Sequence, residues 1–228
     1  MSDIPGINSF STSYSRSGFF SVKTVYTFSG PDGKPFLYAS RAAVNQALII
    51  LPGAAAVFLA VHYHLLPMAN IITINILLLA VFIVAISMTR KKAIEFSAEP
   101  GGRALFSMSP ANMLTSADFN LFERPGVRFS RVHTEGGLKL TTSYRWLAEG
   151  RDGQTLLAAN RPASIVFSNG PVPVTDRSGE EAGSMDISGY PGPFTFEFSG
   201  KVFETVDPRI VYGFALAVYS HALGQRSS

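Results

Sequence analysis

The sequence predicts a mainly β protein: an antiparallel β-barrel of hairpins around a C-terminal hydrophobic helix, with a transmembrane α-helical hairpin inserted in it. Three observations lead there. Alternating or aromatic-rich stretches are joined repeatedly by Gly-bearing turns, residues 42–89 hold no Asp, Glu, Lys or Arg, and the chain closes on a helix that is apolar on every side.

The first 17 residues carry Ser2, Ser9, Ser11, Ser13, Ser15 and Ser17 and no apolar core of the secretory type. They read as a flexible cytosolic tail. The barrel is expected to begin at residue 18 with "FFSVKTVYTFSGPDGKPFLYAS", where "PDGK" supplies Pro and Gly to a tight reversal.

The charge-free run follows, and it divides at "HLLPMANII" into apolar segments covering residues 43–66 and 70–88. At 1.5 Å per residue each reaches about 30 Å, the thickness of a hydrocarbon core. Pro67, Met68 and Ala69 are too few to form anything but a turn, so residues 42–89 are expected to be a two-helix transmembrane hairpin. Arg41 precedes it and Arg90-Lys91-Lys92 follows, while the turn has no cation. By the positive-inside rule this gives a two-pass integral membrane protein with both termini cytoplasmic. Two other arrangements fit the same run: a buried soluble helix pair, and a hairpin kinked at Pro52-Gly53 that re-enters one leaflet. His62 and His64, two apart, point in different directions on a helix and do not make a metal pair. Asn75 inside the second segment is expected to hydrogen-bond to the neighbouring helix.

Beyond residue 90 the hairpins resume. "KAIEFSAEPGGRALFSMS" turns on "EPGG", "VRFSRVHTEGGLKLTTSYRWLAE" on "TEGG", "SYRWLAEGRDGQTLLAANR" on "GRDG" and "FTFEFSGKVFETV" on "SGK", giving about ten strands or more. "SPANMLTSADFNLFERPG" breaks the rhythm with a short helix. Residues 169–193, rich in Gly and Pro, read as a long solvated loop, and its carboxylates Asp176, Glu180, Glu181 and Asp186 lack the ligand spacing of a calcium loop.

The closing helix is expected over 208–223. Asp207 is a good N-cap and Pro208 a good first residue. No polar face follows from Ile210 to Tyr219, so the helix must be enclosed, and at about 21–24 Å it suits the axis of a closed barrel.

Composition excludes several chemistries. The chain has no cysteine, which removes disulfides, thiolate metal sites and thiol catalysis. A net charge of +3 with scattered Lys and Arg is not a nucleic-acid footprint. No P-loop, GxSxG or dinucleotide fingerprint stands in context, and His133 and His221 have no evident carboxylate partner. No catalytic residue, metal ligand or cofactor site is expected.

"VDPRIVYGFALAVYSHAL" resembles the Asp-Pro-Arg opening and apolar body of the closing helix in the tubby C-terminal-like fold, as in LURP-one-related and phospholipid scramblase-like sequences. "YTFSGPDGKPFLYAS" and "RWLAEGRDGQTLLAANRP" are similar to that family's hairpins. The resemblance implies a tubby-like barrel over residues 18–41 and 90–228, around the inserted hairpin. It departs from scramblases in lacking an acidic segment before the closing helix, since "KVFETVDPR" offers only Glu204 and Asp207. It implies a non-enzymatic cytoplasmic module held at the membrane, binding anionic lipid headgroups or a protein partner. The cations offered to lipid are Arg41, Arg90, Lys91, Lys92, Arg128, Arg131 and Lys139. Arg128 and Arg131, three apart on one strand, are expected to face opposite sides. The alternative is phospholipid translocation without calcium, with the hairpin assembling a homo-oligomer.

Overall fold

The computed structural model describes residues 4–19, 21–44, 47–62, 71–90, 93–111, 117–123, 126–135, 144–161, 170–186 and 193–226. The chain divides into two compact units, one of residues 1–15, 25–40 and 93–228, the other of residues 16–24 and 41–92.

Twelve strands among the described residues close into one antiparallel barrel: β1 (Ser9–Ser17), β2 (Ser21–Ser29), β3 (Pro35–Val44), β4 (Ile94–Ser97), β5 (Phe106–Pro110), β6 (Asp118–Glu123), β7 (Val127–Glu135), β8 (Tyr144–Glu149), β9 (Thr155–Arg161), β10 (Val172–Asp176), β11 (Glu181–Asp186) and β12 (Phe194–Phe198). Each strand lies beside its neighbours in sequence, and β1 meets β12 to close the ring. This is an up-and-down meander. Its order holds even across residues 45–93, because β3 and β4 pair directly, with Tyr38 opposite Ser97 and Ser40 opposite Glu95.

The turns explain why neighbours pair. In "GPDGK", "GRDGQ" and "DRSGE" the first and fifth residues are bonded through Gly30 N–H to Lys34 O, Gly150 N–H to Gln154 O, and Asp176 N–H to Glu180 O. The fourth residue is a glycine at φ 74°, 80° and 84° respectively. That left-handed position is open to glycine at no steric cost, and it sets the strand register.

Three expectations are corrected. The Ser-rich start is not a tail beyond residue 8: Phe10 and Thr12 point into the barrel and are fully buried, the intervening serines face out, and Ser9 pairs with Glu197. Residues 169–193 are not one loop, since Val172 and Val174 are buried on β10, which pairs with β11 around the Asp176 turn. Alternating burial outweighed the local Gly and Pro content. The segment after "SGK" is not a strand but the one-turn helix α3 (Val202–Thr205), anchored by the buried Val202 and by bonds such as Val206 N–H to Val202 O at 2.7 Å. The short helix expected in "SPANMLTSADFNLFERPG" falls on residues 112–116, which lie outside those described, between the end of β5 at Pro110 and the start of β6 at Asp118.

The final helix, α4 (Pro208–Arg226), fills the barrel. Every residue from Ile210 to Tyr219 is buried, as a helix with no polar face requires. Phe10, Phe28 and Phe36 pack around Tyr212 at 5.1–5.8 Å between ring centroids, and Phe194 meets Tyr219 edge-on at 4.7 Å. Each large side chain buried this way contributes about 2–3 kcal/mol. Gly213 lets the wall come close, because a Cβ there would strike the Leu121 side chain on β6.

The Asp-Pro-Arg opening has a clear structural role. Asp207 Oδ1 accepts the Arg209 N–H at 2.9 Å, capping the helix. The Arg209 guanidinium pairs with Asp207 at 2.5 Å and Glu123 on β6 at 2.7 Å, and lies 4.5 Å over the Phe129 ring of β7. Hydrogen bonding to Asp207 raises its proton affinity further, against the cost of its partial burial.

Candidate functional site

Two helices occupy most of the second unit: α1 (Ala47–His62) and α2 (Ile71–Arg90). They pack on each other at Gly53, where a Cβ would lie 2.5 Å from Val81 Cγ1. The helix pair expected from the charge-free run is therefore present, with a glycine at this contact.

Its outer faces are apolar and uncovered. Leu51, Phe58 and Ile76 are 67%, 69% and 60% exposed, and Leu79, Phe82, Ile83 and Val84 are about half exposed. Asn75 is exposed too, rather than directed onto α1. No helix among the described residues is long and apolar enough to cross a membrane. The 16 residues of α1 reach only about 24 Å, and the unbroken apolar run of α2, residues 76–86, lies between Asn75 and Ser87. The pair of full spans expected from the sequence is thus not seen. His62 ends α1 stacked on Phe58 at 6.3 Å, whereas His64 falls outside the described residues. Among the described residues no group of His, Asp or Glu is arranged to hold a metal.

The seven cations expected to meet lipid are not gathered in one place. Arg41 is half-buried on β3, and Arg90 is the last residue of α2. Lys91, Lys92 and Lys139 lie outside the described residues. Arg128 is exposed on β7, whereas Arg131 makes a bidentate pair with Asp118, Nε to Oδ1 at 2.9 Å and Nη2 to Oδ2 at 2.8 Å. These bonds, ahead of the opposing desolvation, raise its proton affinity.

The two arginines do not face opposite sides. Leu121 pairs with Ser130 and Phe122 with Arg128, so Phe129 is the extra residue of a β-bulge. Directly paired residues share a face, which puts Arg128 with Phe122 and Arg131 with Asn120 on the same outer surface. The bulge reverses the parity that spacing alone gives, and it turns Phe129 toward the core beside Phe106 at 6.3 Å.

That outer surface holds the polar group which sequence reasoning missed. His133 Nε2 lies 3.0 Å from Glu149 Oε1, and Glu149 stands opposite Arg131 in the β7–β8 register. Asp118, Arg131, His133 and Glu149 thus tie three strands together, in an area where Leu147 and Ala158 on β8 and β9 are buried although absent from the inner core. His133 does have a carboxylate partner, contrary to expectation. The partner lies 16 residues away, and only strand register reveals it. His221 packs edge-on against Trp146 at 5.4 Å.

Of the carboxylates in the predicted acidic loop, Asp176 serves a turn. Asp176 Oδ1 accepts the Ser178 hydroxyl at 2.6 Å and the Ser178 and Glu180 N–H groups at 2.8 and 3.1 Å, and the Ser178 hydroxyl holds its carboxyl below the usual range.

No protein-family model matches this chain, and no curated protein matches it in sequence.

Proposed function

We infer that the protein is a membrane-attached, non-enzymatic module: a tubby-like barrel held at the cytoplasmic surface of a bilayer, where it meets lipid headgroups or a protein partner. The observation that carries this reading is the exposed apolar surface of α1 and α2. Leaving such side chains in water forfeits about 25 cal/mol for each Å² of apolar surface, and contiguous exposed patches of this kind are rare on soluble proteins. Hydrocarbon covers them without requiring a shape-matched partner.

A hairpin that beds in the bilayer and turns back needs no full crossing by either helix. It returns the chain to the surface it left, so Arg41 and Arg90 both meet the headgroups, where the cytoplasmic leaflet favours cations. The enclosed helix and the meander support the tubby-like reading. The non-enzymatic reading is supported by how the wall uses its ionisable groups. Asp118 is taken up by Arg131, Glu149 lies against His133, and Asp207 caps α4, leaving these carboxylates in structural pairings.

Flotation of the full chain with neutral phosphatidylcholine vesicles tests the attachment. The protein is expected to rise with the vesicles and to stay with them through a high-salt wash, since burial of apolar surface is not screened. Protein that remains in the dense fraction, or that salt strips away, overturns the reading.

A further inference from the structure

The unit that contains α1 and α2 has another part. Residues 16–24, the tip joining β1 to β2, belong to the same compact unit as residues 41–92. At the tip Gly18 takes φ 94°, and a Cβ there would collide with the Ser21 carbonyl. The turn is therefore tight and specific to glycine. It holds Phe19 outward, 70% exposed, more than any other large apolar side chain described. Arg16 and Lys23 flank it, both exposed.

The charge of this unit is one-sided. It contains Arg16, Lys23, Arg41, Arg90, Lys91 and Lys92 and no Asp or Glu. The other thirteen of the nineteen Lys and Arg residues lie in the barrel unit with all sixteen carboxylates. The unit bearing the apolar helices is thus purely cationic, while the barrel unit is net acidic. An exposed aromatic between two unopposed cations has the chemistry of a membrane-interface anchor, its ring at headgroup depth and its charges on anionic lipid.

We propose that the β1–β2 tip is a second membrane contact: Phe19 inserts at the interface of an anionic leaflet, and Arg16 and Lys23 hold its headgroups. The proposal rests on the membrane reading of α1 and α2 and adds lipid charge selectivity to it. The occupant is the bilayer surface and not a protein, because a flat field of negative charge complements a unit with no acid of its own.

The test uses the full chain with a single cysteine at Phe19→Cys carrying an environment-sensitive fluorophore, which the absence of native cysteine permits. A second protein carries the label at Arg151→Cys, on the exposed β8–β9 turn. Vesicles are phosphatidylcholine alone or mixed with phosphatidylserine, each with and without brominated acyl chains. The label at 19 is expected to shift to the blue and to be quenched by bromine in serine-lipid vesicles, while the label at 151 keeps its aqueous emission. Removing both charges in Arg16→Ser/Lys23→Ser is expected to weaken the preference for serine-lipid vesicles about 30-fold. If the chain floats with vesicles but the label at 19 stays aqueous, or the double variant keeps its preference, this proposal is overturned and the helix anchor stands. A chain that floats with neither vesicle overturns both.

Discussion

The Tyr212 hydroxyl donates to the Pro5 carbonyl at 2.7 Å and accepts the Ile7 N–H at 3.0 Å, tying the segment before β1 to a helix more than 200 residues later. Burial pushes the phenol up to about 12, with the Ile7 bond opposing that shift.

Two outcomes follow for Tyr212→Phe. The variant leaves a carbonyl and an amide without their partner and is expected to lose about 1–3 kcal/mol, measured by chemical denaturation at neutral pH. The proton is held more tightly in the folded state than in the unfolded one, where the phenol titrates near 10. The stability tied to it is therefore complete below pH 10 and is lost as pH rises toward 12, a fall of about 3 kcal/mol. A wild type and variant that lose stability in parallel over that range contradict the assignment.

Gly213 offers a test whose sign is informative. Glycine to alanine inside a helix ordinarily gains up to about 1 kcal/mol. Here the new Cβ meets Leu121, so Gly213→Ala is expected to destabilise by about 1–3 kcal/mol. Combining it with Leu121→Ala is expected to cost less than the sum of the two single changes. Strict additivity, or a gain in Tm for Gly213→Ala alone, speaks against helix and wall meeting at this point.

Arg131 and Arg128 share a face but not a role. Arg131→Ala strips Asp118 of a bidentate partner and is expected to cost about 1 kcal/mol, discounted for solvent screening, and Arg131→Lys is not expected to restore it. Arg128→Ala is expected to stay within about 0.5 kcal/mol of wild type. Equal effects in urea denaturation rule out the distinction.

Much of this architecture was legible in the chain itself, and the reasons differ from element to element. The closing helix could be read because Asp207 and Pro208 mark its start and, after Arg209, no polar face follows from Ile210 to Tyr219. The "PDGK" and "GRDG" hairpins could be read because their glycines are required by local backbone geometry. β1 was hidden by serine on its outer face, with Phe10 as the main inward signal, and β10 by Pro173 between two buried valines. The pairing of His133 with Glu149 and the shared face of Arg128 and Arg131 depend on register and on a one-residue bulge at Phe129. Neither leaves a mark in residue spacing. In sequence the tip at Phe19 is indistinguishable from the strand beside it, since its meaning comes from which unit it joins.

The central claim is that lipid covers the outer faces of α1 and α2. The most direct measurement places a single fluorophore at Leu79→Cys on the full chain, in neutral vesicles with brominated acyl chains. Strong quenching with a blue-shifted emission is the result expected for a helix face in hydrocarbon. Unquenched, water-like emission from vesicle-bound protein would contradict the account.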